Sequence, residues 1–145
     1  MKMILGAALA SLVAAVALSP AAQADTYHYR EFASPTGNIA CRIEAGGSQP
    51  NVRCDVLAIN YNPPPRPDVS CYGDFGRSVT LTQSDVAKFG CITDSLNFRA
   101  ATLPYGSDSA LGPFDCTSST SGIRCVVVQS GVGFLISRDN YQFFG

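Results

Sequence analysis

Six cysteines, Cys41, Cys54, Cys71, Cys91, Cys116 and Cys125, all lie downstream of an apolar leader, and that arrangement constrains this chain most. The leader opens Met1-Lys2-Met3 and runs uncharged and mostly apolar through residues 4–18. Pro20 and the small-x-small pattern Ala22-Gln23-Ala24 follow. A short basic start, an apolar stretch and a small-residue cleavage site predict a signal peptide over residues 1–24, cut between Ala24 and Asp25. The fifteen-residue apolar run is shorter than the roughly 17 to 25 residues that cross a bilayer. Position 25 is Asp rather than Cys and no twin-arginine pair precedes it, so general secretion without a lipid anchor is the expectation.

An even number of cysteines in an exported chain predicts three disulfides. Zinc is the rival reading, but there is no Cys-x-x-Cys pair and the single histidine, His28, stands near the start of the mature chain. The missing Cys-x-x-Cys also argues against thioredoxin-type redox chemistry. Six cysteines allow 15 connectivities, and strand register narrows them. A turn centred on Gly47-Ser48, a Gly-first pair suited to a type II′ turn, sets Ile39 opposite Val56, Cys41 opposite Cys54 and Ile43 opposite Val52. Side chains alternate with period two, so these six share one face while Arg42, Glu44, Arg53 and Asp55 share the other. Pro50 then falls where no backbone N–H is needed. A second turn centred between Thr120 and Ser121 sets Cys116 opposite Cys125 and Phe114 opposite Val127. Cys71 and Cys91 cannot meet across a tight hairpin. They are expected to clip the entrance of a strand at 77–82 to a strand at 89–92.

Further strands are expected at 27–32, 96–98 and 133–137, and one helical turn from Ser84-Asp85 into Val86-Ala87-Lys88. Residues 60–67, Asn-Tyr-Asn-Pro-Pro-Pro-Arg-Pro, read as an extended connector. The fold class is therefore all-β: one domain over residues 25–145, a small disulfide-stapled sandwich or barrel built from hairpins, with at most one short helical turn. One short internal echo stands out, Gly37-Asn-Ile-Ala-Cys41 beside Ser121-Gly-Ile-Arg-Cys125.

Charge excludes some functions. Removing residues 1–24 takes Lys2 with it and leaves nine cations against eleven acids, scattered singly. No basic run suits nucleic acid and no later stretch suits a membrane. There is no P-loop, dinucleotide fingerprint, EF-hand loop or nucleophile elbow, so no cofactor, metal or catalytic residue is assigned. With the cysteines oxidised, no thiolate is available. Asp74, Asp85 and Asp94, in or beside the middle disulfide loop, are the acids closest to a paired-carboxylate site, and they also read as turn and cap residues. Among the aromatics, Tyr105 in Leu103-Pro-Tyr-Gly106 sits in a turn and is the candidate ligand contact.

Several stretches together resemble a known group. They are Phe32-Ala-Ser-Pro-Thr-Gly-Asn-Ile-Ala-Cys41, Val52-Arg-Cys-Asp55, Arg66-Pro-Asp-Val-Ser-Cys71, Phe89-Gly-Cys-Ile-Thr-Asp94, Leu103-Pro-Tyr-Gly106, Gly122-Ile-Arg-Cys125 and Gly131-Val-Gly-Phe134 with Ser137-Arg138. The chain resembles a family of small secreted six-cysteine proteins of mycobacteria and related actinobacteria, a domain of unknown function. One departure is Asp74-Phe-Gly76, where the family leads one to expect Trp-Gly. The resemblance implies secretion and a disulfide-bonded β-rich domain, and assigns no activity.

The expected function is a non-enzymatic extracellular or cell-envelope binding domain, its ligand or partner and its oligomeric state left open. The alternatives are a small carboxylate-dependent hydrolase acting on cell-wall material and a structural envelope protein.

Overall fold

The computed structural model describes residues 26–67 and 70–145. The leader and its cleavage site lie outside the described residues. Ten strands follow one another: β1 (His28–Ala33), β2 (Ile39–Ala45), β3 (Asn51–Val56), β4 (Asp74–Thr82), β5 (Ala87–Ile92), β6 (Asp108–Leu111), β7 (Phe114–Ser119), β8 (Gly122–Val127), β9 (Gly133–Ile136) and β10 (Tyr141–Phe144). They form two antiparallel sheets, β1-β2-β3-β4-β5 and β10-β9-β8-β7-β6, each an up-and-down meander in sequence order. The two sheets stay separate, so the architecture is a sandwich rather than a barrel.

Alternation along the strands builds the core. Cys41 and Ile43 on β2, Val52 and Cys54 on β3, and Val79 and Leu81 on β4 face inward from the first sheet. Phe114, Cys116, Ile123, Cys125, Phe134 and Ile136 meet them from the second. β6 packs near β1 and β2, and β4 near β8 and β9.

The disulfides pair as the register requires. Cys41 faces Cys54 across β2–β3, and Cys116 faces Cys125 across β7–β8, each pair with Cα atoms 4.1 Å apart. That close approach marks a non-hydrogen-bonded position of an antiparallel ladder. Each cystine therefore joins the second and third strands of its own sheet. The third strands also match in sequence, Val52-Arg-Cys-Asp-Val56 on β3 and Ile123-Arg-Cys-Val-Val127 on β8. The echo involving Gly37-Asn-Ile-Ala-Cys41 instead couples β2 with β8, which hold different places in their sheets. Cys71 bonds Cys91 from the chain just ahead of β4. This ties the entrance of β4 to β5, where Cys91 stands opposite Phe75.

Four expectations are corrected. The β2–β3 connection is wider than a two-residue turn: the ladder ends at Glu44 opposite Asn51, and Gly46 and Gly47 both adopt positive φ, 73° and 68°. Gly46 lies so close to the Thr26 carbonyl that a Cβ would stand 2.2 Å from its oxygen. The register survives because Ile43 and Val52 remain buried. No helical turn forms at Ser84-Asp85. Asp85 takes a left-handed conformation, φ 63°, that closes the β4–β5 hairpin, and Ala87 joins β5. An aspartate tolerates that region as few residues do. Residues 96–98 form no strand, because the Leu96 N–H donates to the Asp55 carboxylate (3.0 Å) rather than to a ladder. Two strands, β6 and β10, come in addition to those expected.

Residues 93–103 cross the outer face of the first sheet from β5 to β1. Leu96 is buried against that face, and Ala33 exchanges backbone bonds with Ala101 and Leu103 (3.0 and 2.9 Å). Between edge strands β5 and β10 an aromatic cluster closes the sandwich, with Tyr141 and Phe143 ring centroids 4.8 and 5.5 Å from that of Phe89. Phe75, standing where the resemblance leads one to expect Trp, packs 6.0 Å from Phe89. The connector over residues 60–67 runs past this side without strand structure. Tyr61 donates to the Gly76 carbonyl (2.8 Å). Burial pushes the Tyr61 phenol up to about 12.

Candidate functional site

In two antiparallel meanders, alternate turns collect at opposite ends of the sandwich. The β1–β2, β7–β8 and β9–β10 turns and the approach to β6 therefore gather at one end. There they enclose a cleft of about 530 Å³ lined mainly by Ser, Thr and Asn, with Tyr105, Arg138 and Asp139 among its walls and Ile39 at its base.

Each wall is a hydrogen-bonded turn. In the β1–β2 turn the Ser34 hydroxyl accepts from the Ile39 N–H (3.0 Å), and the Asn38 amide exchanges bonds with the Ala58 backbone (3.0 and 2.9 Å). Tyr105 occupies the first central position of a turn closed from Ser107 N–H to Pro104 carbonyl (3.0 Å). The next residue, Gly106, has φ 81°, the geometry that makes this a type II turn and favours glycine there. The Gly106 N–H donates to the Ser118 carbonyl (2.8 Å), which anchors the turn to β7. The Tyr105 side chain is displayed, 47 % exposed. In the β7–β8 turn the Ser119 hydroxyl donates to Gly122 and accepts from Ser121 N–H. In the β9–β10 turn Ser137 accepts from the N–H groups of Asp139 and Asn140. Asn60 from the connector holds that turn from outside, donating its backbone N–H to the Arg138 carbonyl and its amide to Asp139, each at 2.7 Å.

Among the described residues, four side chains on this cleft make no hydrogen bond or ion pair: Tyr105, Thr120, Ser121 and Arg138. The cleft therefore presents polar side chains without protein partners on turns whose backbone is held by hydrogen bonds.

The sequence-derived candidates fall into three places. Tyr105 lies in the cleft. Asp85 lies at the opposite end, accepting from the Ser130 hydroxyl of the β8–β9 turn (2.6 Å). Asp74 and Asp94 border one shallow depression beside Tyr72, outside the sandwich. Each has an arginine partner: Arg77 stands 3.4 Å from Asp74, and Arg53 donates to Asp94 at 2.8 Å. The hydrogen bond and charge of Arg53 hold the Asp94 carboxyl below its ordinary value. A general acid needs the opposite shift. His28 is exposed at the start of β1, opposite Ala45. Among the described residues, no three His, Cys, Asp or Glu side chains converge to hold a metal ion.

Arg138, Thr120 and Ser121 are cleft residues that sequence reasoning treats only as turn or motif positions. Their shared signal is local, since each sits in a short polar turn between two strands. Their convergence depends on the topology. No family model, no curated protein and no solved structure matches this chain.

Proposed function

We propose that this chain is an extracytoplasmic, non-catalytic binding domain that takes a polar component of the cell envelope into the Tyr105 cleft. The observation that carries the reading is the convergence of four braced turns, drawn from both sheets, on unpaired Tyr105, Thr120, Ser121 and Arg138 side chains. Loops held by a rigid scaffold are where β-sandwiches carry recognition. Three disulfides suit an oxidising compartment, and among the described residues no helix is long and apolar enough to cross a membrane. Together with the leader and the motif resemblance, they support placing the chain among small secreted actinobacterial proteins. The arginine partners of Asp74 and Asp94 argue against the hydrolase alternative.

The test is capture of envelope glycan and lipid-glycan fractions on the immobilised oxidised protein, beside a Tyr105→Ala variant of equal thermal stability. The expected result is a retained fraction that the variant loses. Retention of nothing, or equal retention by both proteins, overturns the assignment of the cleft.

A further inference from the structure

We infer that the cleft ligand is an anionic saccharide, a sugar ring bearing a carboxylate or phosphate, with Arg138 pairing the acid group and Tyr105 lying against the ring. The inference rests on the binding reading above and narrows it to a chemical class.

Each unpaired group on the cleft matches one part of such a ligand. Thr120, Ser121 and Tyr105 offer hydroxyls that both donate and accept, the same dual capacity as sugar hydroxyls. Arg138 offers a planar fork of donors and no acceptor, which matches an acceptor-only carboxylate or phosphate in two parallel bonds. Its guanidinium has no partner among the described residues, as holds also for Arg30 and Arg99, but Arg138 is the arginine that lines the cleft. The neighbouring Asp139 carboxylate already accepts from the Asn60 amide (2.7 Å). Its negative charge remains, so an anion sits toward Arg138 and away from Asp139. Tyr105 presents a half-exposed aromatic ring on a turn whose backbone is fixed at both sides. Such a ring gives a sugar's C–H face an apolar surface with little loss of conformational freedom. The remaining lining side chains mostly carry hydroxyls or amides, with Ile39 the aliphatic one among them.

The experiment is a titration of the full oxidised protein, followed by amide chemical shifts, with three probes. These are a glucuronate–N-acetylglucosamine tetrasaccharide, glucose 6-phosphate, and neutral chitotetraose. The expected result is that one or both anionic probes move the amides of residues 105–107, 119–122 and 137–140 more strongly than chitotetraose does. Arg138→Gln should weaken the anionic probe about tenfold or more, the usual effect of a lost charge-assisted bond. Asp139→Asn, which keeps the acceptor for Asn60, should tighten it, and Arg30→Gln on β1 should change nothing. Preference for the tetrasaccharide identifies a carboxylate ligand, and preference for glucose 6-phosphate identifies a phosphate ligand. Equal binding of chitotetraose with no effect of Arg138→Gln overturns the anionic class and leaves the cleft a glycan site. Silence with all three probes overturns the saccharide inference, while the capture experiment decides separately whether the cleft binds anything. Among the described residues Arg138 and Tyr105 make no side-chain hydrogen bond, so unchanged melting of their variants keeps a binding loss from being read as misfolding.

Discussion

Arg53 and Asp55, two residues apart on the outer face of β3, meet as a fork on a fork: Nε and Nη2 donate to the two carboxylate oxygens at 2.9 and 2.8 Å. Asp55 is only 3 % exposed. The same guanidinium donates to the Asp94 side chain (2.8 Å) and backbone carbonyl (3.0 Å), so one arginine pins residues 94–96 across the sheet. Removing it leaves a buried carboxylate without its cation. Arg53→Ala should destabilise the domain by about 2 to 4 kcal/mol. The double variant Arg53→Met with Asp55→Leu should recover only part of that loss, because it removes the stranded carboxylate but leaves the buried Leu96 N–H without its acceptor. Denaturant unfolding checks both, and a single variant as stable as the parent would contradict the clamp.

The clamp also sets an acid response. Arg53 lowers the Asp94 pKa in the folded protein, so the pairing adds stability above the unfolded carboxylate value, about 3.9. That contribution disappears as pH falls through the lowered folded value. Carboxyl-carbon NMR should show Asp94 titrating below a free aspartate, and Arg53→Ala should return it toward the ordinary value. An unmoved titration would separate Asp94 from Arg53.

At the alkaline end the sign reverses. The Tyr61 phenol titrates near 12 when folded, so its burial supports the fold fully below about pH 10 and less as pH rises toward 12. Phenolate absorbance should show the Tyr61 phase ionising late, near pH 12. Tyr61→Phe should remove that phase and cost about 1 kcal/mol for the lost bond to Gly76. Survival of the late phase in the variant would assign it to another tyrosine.

Access distinguishes the three cystines. Cys41–Cys54 and Cys116–Cys125 are at most 1 % exposed, whereas Cys91 lies at the surface. Graded thiol reduction followed by alkylation and mass spectrometry should label Cys71 and Cys91 first. The two in-sheet pairs should react only as the domain unfolds. Replacing either in-sheet pair should lower stability by about 3 kcal/mol, the usual scale for loops of this size. Early labelling of Cys41 would contradict the burial order.

Register was legible in the sequence where a strand carries one fully buried face. Ile39, Cys41 and Ile43 opposite Val56, Cys54 and Val52 leave one alignment that keeps all six inside, so the pairing survives even though the turn is wider than expected. The edge strands lack that constraint. β6 is Asp-Ser-Ala-Leu and β10 is Tyr-Gln-Phe-Phe, and neither has a fully buried residue, so hydrophobic alternation does not mark them. Ser84-Asp85 carries a real cap signature, but pairing Ala87–Ile92 with β4 outweighs one helical turn. Tyr105 was readable because Leu-Pro-Tyr-Gly declares its turn locally. Thr120 and Arg138, fifteen and thirty-three residues further along the chain, join it only when the β6–β10 meander brings its alternate turns to one end.

Every ladder in both sheets joins neighbours in sequence, and that bears on how the chain finds its structure. Zipping each strand onto the previous one closes a short loop at every step but one, the 57–73 connector between β3 and β4, whereas Greek-key sandwiches must close long loops repeatedly before contacts reward them. The long-range steps left are the return of residues 93–103 across the first sheet to β1 and the docking of one finished layer on the other. Folding should therefore be fast for an all-β chain of this length, with collapse of the two apolar faces as its barrier.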